Sequence, residues 1–208
     1  MYILYLSASL SKAQFSVGFD FEVYFINLMV ILQDMDDYVF MKKSAEIDQL
    51  AAELGFTKVH FLDTDFVVLK GKTQKELLKE IDLARNKKLK TVFKADSEEM
   101  LRFALEKNGV DMIYDLEDLH PKDSLHFVRG GLDQILCTIA AEKGKTIGFS
   151  FSEILNSPHK GKLLARMMFN IKLCKKYKVP IALVSFAAAK EEMRSAKDLQ
   201  ALGRILGL

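Results

Sequence analysis

Short apolar runs alternate with amphipathic segments from Tyr38 to the end of the chain. Short apolar runs between turn residues are typical of buried strands, and apolar spacings of three and four are typical of helices that cover them. Their alternation predicts βα units around a parallel sheet. The predicted strands are Tyr38–Met41, Lys58–Leu62, Phe66–Leu69, Lys90–Phe93, Met112–Tyr114, Thr146–Phe151 and Ile181–Phe186.

Capping residues and apolar stripes indicate where the helices lie. A polar cap followed by an acidic residue satisfies backbone N–H groups at a helix start, and such caps are predicted at Ser44, Thr73, Asp96 or Ser97, and Ser195. Two helices, from Thr73 to about Asn86 and from Gly161 to Lys178, carry clear apolar stripes. Their predicted inward residues are Leu77, Leu78, Ile81 and Ala84 on the first, and Leu163, Leu164, Met167, Met168, Ile171 and Cys174 on the second.

The length of 208 residues suits a single domain with a sizeable core. Seven strands with intervening helices are compatible with a closed barrel or with an open doubly wound sheet, and the pattern does not decide between them. A complete (β/α)₈ barrel typically needs about 250 residues. A barrel in this chain would therefore have short or missing helices.

Residues 1–37 differ from the rest of the chain in charge. They hold five acids and one basic residue, Lys12, with an uncharged stretch from Val23 to Gln33. Acids interrupt the roughly 20 apolar residues that a membrane-spanning helix needs, and the basic start and cleavage site of a signal peptide are missing. We predict that 1–37 is an extension, or that the natural start lies near Met35, and that the domain covers 38–208.

The two cysteines, Cys137 and Cys174, fall at apolar positions of predicted helices and show no C-x-x-C spacing. This pattern predicts reduced core residues in an intracellular protein.

Motifs for catalysis by the chain itself are missing from the sequence. No G-x-S-x-G, H-x-H or H-E-x-x-H pattern occurs. Asp63 and Asp65 follow a strand, where barrel enzymes keep catalytic groups, but turn-forming aspartates explain them better. We predict neither catalytic residues nor a metal site built from the four histidines, His60, His120, His126 and His159.

Basic residues are concentrated near the carboxyl terminus. Residues 160–208 contain eleven Lys and Arg and three acids, which gives this segment a charge of +8 in a chain whose net charge is +2. A solvated helix face explains the lysines but not the scarcity of acids. Positive charge that is concentrated in one segment in this way favours contacts with the phosphates of structured RNA.

The run Arg129-Gly130-Gly131 precedes a predicted helix over Leu132–Lys143. A helix N-terminus attracts anions, so the glycine pair is explained equally well by an RNA phosphate contact and by a tight turn into the helix.

Four blocks of the carboxyl-terminal half carry a family resemblance. They are Arg129–Leu136, Ile147–Leu155, Arg166–Pro180 and Arg194–Gly207. In this order and spacing they resemble the ribonuclease P protein component 3 family, the p30-type subunit of archaea and eukaryotes. The likeness begins near Tyr38, is specific over 109–208 and is absent from 1–37.

The resemblance implies a TIM-barrel-like α/β barrel, similar to the metal-dependent PHP phosphoesterases but without their histidine-rich metal centre. It implies a non-catalytic subunit of ribonuclease P, which removes the 5′ leader of precursor tRNA. In that family the RNA is the catalyst and uses Mg²⁺, and we expect the protein to bind no cofactor. The expected partners are the ribonuclease P RNA, protein component 2 and other protein subunits, and the contact with precursor tRNA is expected to be indirect. The expected location is the cytoplasm.

The resemblance implies RNA contacts at Arg129, Lys176 and Arg194, and local charge adds Arg166, Lys197 and Arg204. Two alternatives stay open. One is a stand-alone metal-dependent PHP-like phosphoesterase or nuclease, and the other is a small-molecule barrel enzyme with phosphate contacts at Gly130-Gly131.

Overall fold

A computed structural model of the protein describes residues 35–126 and 128–208, in which short strands alternate with helices. The strands are β1 (Asp36–Val39), β2 (Lys58–Phe61), β3 (Phe66–Leu69), β4 (Lys90–Lys94), β5 (Met112–Tyr114), β6 (Thr146–Ser150) and β7 (Ile181–Val184). The helices are α1 (Ala45–Glu53), α2 (Gln74–Asn86), α3 (Glu98–Glu106), α4 (Gln134–Glu142), α5 (Phe151–Asn156), α6 (Lys160–Tyr177) and α7 (Ala196–Leu206). Two 3₁₀ turns cover Leu116–Asp118 and Lys190–Glu192.

All strand pairs in the described residues are parallel, as predicted. The strands form one sheet of β1 and β2 and another in the order β3-β4-β5-β6-β7. This order follows the chain without the reversal that defines a doubly wound sheet. The predicted closed barrel is not found as one continuous sheet, because single bridges replace full ladders between Leu62 and Phe66 and between Val39 and Ala187.

Two polar residues that the apolar pattern leaves out belong to the first strand. β1 begins at Asp36, two residues before the predicted start. Asp37 is fully buried and accepts hydrogen bonds at 2.6 Å from both the backbone N–H and the hydroxyl of Ser185. The earlier part of the predicted extension, including the stretch Val23–Gln33, lies outside the described residues.

The helix starts follow the predicted caps. Ser44, Thr73, Ser97 and Ser195 each accept a hydrogen bond from a backbone N–H in the first turn of their helix. The predicted inward stripes need two corrections, because Leu78 on α2 and Met168 on α6 are 42% and 47% exposed.

The buried side chains lie on both faces of the strands. One cluster packs the strands against α2–α6, and a second surrounds α1 and α7. A third consists of side chains from five strands, joined by Phe186 just after β7: Tyr38, Phe66, Val92, Met112, Tyr114, Val184 and Phe186. Both cysteines are free and buried in the first cluster, as predicted. No helix in the described part of the chain is long and apolar enough to cross a membrane.

Candidate nucleic-acid interface

Arg166 of α6 lies buried beneath the segment that leads to Arg129. Its Nε and Nη2 atoms donate to Asp123 Oδ1 at 2.9 and 2.7 Å, and Nη1 donates to the carbonyl oxygens of His120, at 2.7 Å, and Glu117. The side chain is 2% exposed. The prediction that Arg166 belongs to an exposed basic face is therefore wrong, because its donors bind the protein's own loop.

Asn170, one turn further along α6, holds the next part of the same segment. Its Nδ2 atom donates to Glu117 Oε1 at 2.7 Å and to the carbonyl of Gly130 at 2.6 Å. A Cβ atom at Gly130 would collide with the Asn170 side chain, so only glycine allows this approach. Burial raises the pKa of Glu117 from 4.5 to about 8, which leaves its carboxyl group largely protonated at neutral pH.

The glycine pair forms a tight turn ahead of α4. Gly131 has φ +91°, a conformation that favours glycine. The helix starts at Gln134, two residues later than predicted, and the Asp133 carboxylate caps it by accepting from the N–H of Leu136 at 2.7 Å. This carboxylate puts negative charge where a phosphate at the helix N-terminus would bind, so the geometry favours the turn explanation.

The same loop presents Arg129 at the surface. The backbone N–H of Arg129 donates to Asp123 Oδ1 at 2.9 Å, and its side chain is exposed. Asp123 Oδ1 therefore binds both the exposed arginine's backbone and the buried Arg166. These hydrogen bonds, first that from Arg129 and then that from Arg166, lower the pKa of Asp123.

A groove of about 460 Å³ brings together two of the predicted RNA-binding residues, Arg129 and Lys176. They are 47 residues apart in the chain. The Lys176 ammonium is exposed and lies 5.5 Å from the centre of the Tyr177 ring. Gln134 adds an amide to the same wall, where its Oε1 lies 3.5 Å from the Tyr177 hydroxyl. Basic, amide and aromatic groups on one groove can contact phosphates, sugars and bases of RNA.

The other three predicted residues belong to α7 and the turn before it. Arg194 is half-buried; its Nη1 atom donates to the carbonyls of Glu191 and Met193, and its guanidinium lies 5.4 Å from the Phe151 ring centre. Lys197 and Arg204 are exposed on α7. Asp198 helps to start this helix, since its N–H donates to Ser195 Oγ at 3.1 Å.

Some basic groups of the carboxyl-terminal segment bind the protein itself. Lys162 Nζ donates to the carbonyl of Pro121, and Lys175 Nζ donates to that of Gly207, both at 2.8 Å. These contacts anchor a loop and the chain end. A count of basic residues therefore overstates the charge that is free to meet a polyanion.

Asp123, Glu117 and Tyr177 were missed as site residues by the sequence analysis. Nothing in the sequence marks Asp123 or Glu117, because both sit in polar stretches that resemble exposed loops. Tyr177 could have been found from its place beside Lys176 in the third sequence block.

The remaining candidate residues Asp63, Asp65 and His60 are explained by their roles in turns and packing. Asp65 Oδ2 accepts from the N–H of Phe61 at 2.9 Å, and Asp63 has φ +60°, as expected for turn aspartates. His60 is buried and stacks on the Tyr38 ring at 4.4 Å between centres. Among the described residues, no group of three or more His, Cys, Asp or Glu side chains could hold a metal ion.

Three curated archaeal proteins named Ribonuclease P protein component 3 are similar to this chain. That of Thermococcus kodakarensis is 40% identical over 80 residues, which are 38% of this chain and 36% of that protein. That of Methanosarcina mazei is 32% identical over 114 residues, 54% of this chain and 44% of that protein. That of Methanococcus maripaludis is 28% identical over 173 residues, 82% and 69% of the two chains. The chain spans less than half of the length of the first two relatives.

A solved structure has the same fold. A chain in the cryo-EM structure of archaeal Ribonuclease P with mature tRNA matches with a TM-score of 0.64 at 24% identity, over 88% of this chain and 78% of that chain. No family model matches the chain. The relatives bear the name that the four sequence blocks predicted, and the resemblance of this chain to ribonuclease P protein component 3 is confirmed.

Proposed function

We propose that the protein is a subunit of ribonuclease P that binds and supports the catalytic RNA. Arg129 and Lys176 would neutralise phosphates along the groove, and Arg194, Lys197 and Arg204 would extend the contact along α7. Arg166 is left out of the RNA-binding set, because its guanidinium is buried. The observation that carries the proposal is that Arg129 and Lys176, which come from separate sequence blocks, line the same exposed groove.

The chain itself would be non-catalytic, and the RNA with Mg²⁺ would cleave the 5′ leader from precursor tRNA. The protein would hold no cofactor of its own. Its partners would be the ribonuclease P RNA, protein component 2 and other subunits, and its contact with precursor tRNA would be indirect. The protein would act in the cytoplasm. The names of the similar proteins and of the matching ribonucleoprotein structure support this assignment.

A TIM-barrel-like arrangement of the seven strands is part of the proposal. The bridges Leu62–Phe66 and Val39–Ala187 lie at the two junctions between the sheets. The side chains of five strands share one apolar cluster, as inward-facing residues of a barrel do. A ring of strands would give the RNA groove a rigid support.

The first test is precursor-tRNA cleavage at limiting Mg²⁺. The arms are the RNA with component 2, the same mixture with this chain, and this chain without RNA. We expect faster cleavage in the complete mixture only. Cleavage by the chain alone would overturn the proposal and favour a stand-alone PHP-like phosphoesterase or nuclease. No effect in either arm, with saturable sugar-phosphate binding, would favour the small-molecule barrel enzyme.

The second test is RNA affinity measured at several salt concentrations. Arg129→Ala and Lys176→Ala should each weaken binding about fivefold and reduce the slope of log affinity against log salt by about 0.7 to 0.9, the value for one phosphate contact. The matched control is Lys79→Ala, an exposed lysine on α2 away from the groove. Equal effects of Lys79→Ala and Lys176→Ala would contradict a role for the groove.

A further inference from the structure

A second cavity, of about 420 Å³, lies at the carboxyl ends of β3, β4 and β5. It is lined by residues 68–72, 94–96, 114–115 and 118–119. Ligands of parallel α/β proteins typically bind outside the carboxyl ends of the strands. The proposed RNA groove uses none of these residues, so the cavity needs a separate explanation.

Asp115, directly after β5, has one carboxylate oxygen that is paired and one that is not. Lys94 Nζ donates to Oδ2 at 3.0 Å. The other oxygen, Oδ1, is buried and accepts no hydrogen bond from the described residues, in a side chain that is only 8% exposed. Because buried carboxylate oxygens are ordinarily hydrogen-bonded, Oδ1 is an acceptor to which a ligand in the cavity could donate.

The backbone at Asp115 is also unusual. Its φ of 54° and ψ of 41° lie in the left-handed region, which non-glycine residues rarely adopt. Such conformations cost energy and occur often at ligand sites, where the surrounding structure holds a side chain in place. Asp115 in this conformation lines the cavity beside Lys94.

The charge around Oδ1 favours a cation. Burial alone would lower the pKa of Lys94, but the nearby carboxylates of Asp115, Glu153 and Asp118 outweigh burial and raise it. Burial and then the Asp115 carboxylate raise the pKa of Glu153. Lys70 and Lys72 also line the cavity, but both are exposed. The charges that act on the buried Asp115 carboxylate are those of Lys94 and Asp118. A further positive donor at Oδ1 would reduce the repulsion between the Asp115 and Asp118 carboxylates.

A nitrogen cation fits these groups better than a metal ion does. Nowhere in the described residues do three or more potential ligating side chains assemble in a metal-binding arrangement. A single unpaired carboxylate oxygen instead suits an N–H donor, which forms a short, charge-assisted hydrogen bond.

We propose that this cavity binds a cationic amine or guanidinium group through Asp115 Oδ1, with Asp118 adding attraction at the cavity wall. The group is carried by a free polyamine or by a lysine or arginine side chain of a partner protein. The proposal stands apart from the RNA-binding function and is testable without RNA.

The test is calorimetric titration of the full chain, free of RNA, with spermidine, arginine amide, MgCl₂ and inorganic phosphate in separate arms. We expect saturable binding of spermidine or arginine amide at one site. Asp115→Asn should weaken it about tenfold or more, because the amide puts a neutral group in place of the charged acceptor. Asparagine tolerates the left-handed conformation, so the fold should be kept.

The matched control is Glu142→Gln, which removes an exposed acid at the end of α4, outside the cavity. It should leave affinity unchanged. If Asp115→Asn fails to fold, the exposed Asp118→Asn variant carries the test and should weaken binding about threefold. Stronger binding of spermidine would point to a free polyamine, and stronger binding of arginine amide to a partner side chain.

Three results would overturn the proposal. The first is that neither nitrogen cation binds saturably. The second is that binding is unchanged in Asp115→Asn or, where that variant does not fold, in Asp118→Asn. The third is that Mg²⁺ or phosphate binds and the nitrogen cations do not.

Discussion

Arg166 and Lys176 lie on the same helix, ten residues apart, and have opposite surroundings. Arg166 is 2% exposed and binds Asp123 and two backbone carbonyls, whereas Lys176 is exposed in the groove. A guanidinium presents donors in several fixed directions, which lets one side chain hold a whole loop segment. At this scale burial, not charge, separates basic residues that hold the protein's own loop from basic residues that are exposed to solvent.

The first residue-scale prediction concerns Arg166→Lys. A lysine keeps the charge but loses the planar set of donors, so Asp123 and two carbonyls lose partners. We expect the free energy of unfolding to fall by about 2 kcal/mol or more, with faster amide hydrogen exchange over 117–130. Lys172→Arg, at an exposed position of the same helix, is the control. Unchanged exchange in the loop would show that Arg166 does not hold it.

The second concerns Glu117 and pH. Burial raises the pKa of Glu117 from 4.5 to about 8, so between these values the folded protein binds a proton that the unfolded chain has released. The free energy of unfolding therefore falls as pH rises through this window. Glu117→Gln keeps an acceptor for Asn170 but cannot ionise.

We expect the Glu117→Gln variant to lose less stability between pH 5 and pH 8, by on the order of 1 kcal/mol per pH unit. Denaturant unfolding at several pH values measures this difference. Parallel pH profiles for the variant and the parent would refute it.

At the scale of single elements, local chemistry accounts for most of the structure. β3 and β5 have the predicted bounds, and each predicted cap starts its helix. These features depend on neighbours within a few residues, which the sequence displays directly. Leu78 and Met168 depart from the pattern because a helix stripe is wider than the face that its neighbours cover.

An element-scale prediction concerns the capping box of α2. Thr73 Oγ1 accepts from the N–H of Glu76, and Glu76 Oε2 accepts from the N–H of Thr73 at 3.2 Å. Thr73→Ala leaves a first-turn N–H without its side-chain acceptor. We expect a loss of about 1 kcal/mol in urea unfolding. Thr57→Ala, at an exposed position outside the helices, should cost much less.

At the scale of the whole molecule, contacts between distant segments join the first strand to the last. Asp37 and Ser185 are 148 residues apart and share two hydrogen bonds of 2.6 Å. The backbone adds bonds from Phe40 to Ala187 and from Phe186 to Tyr38, each 2.8 Å. This junction connects the two sheets.

The whole-molecule prediction compares Asp37→Ala with Asp37→Asn. Alanine leaves the buried N–H of Ser185 without an acceptor and should destabilise the fold by about 2 to 3 kcal/mol. Asparagine can accept from that N–H and donate to the hydroxyl, so it should cost less.

Burial raises the pKa of Asp37 from 3.8 to about 6, so its contribution to stability falls as pH rises across that range. Asp37→Asn should remove this fall, and thermal unfolding from pH 4 to pH 7 measures it. An equal loss of stability for both variants at every pH would argue against the hydrogen-bonded junction.

The parallel α/β class, the element order, the caps and the four blocks of family resemblance follow from local patterns along the chain. Backbone hydrogen bonding, capping and periodic burial act within a few residues, so the order of amino acids expresses them. Only the tertiary structure decided that Asp37 belongs to the first strand, that Arg166 is buried and that Arg129 meets Lys176. Each of those outcomes depends on which side chains, 43 to 148 residues away in the chain, exclude water or supply a hydrogen-bonding partner.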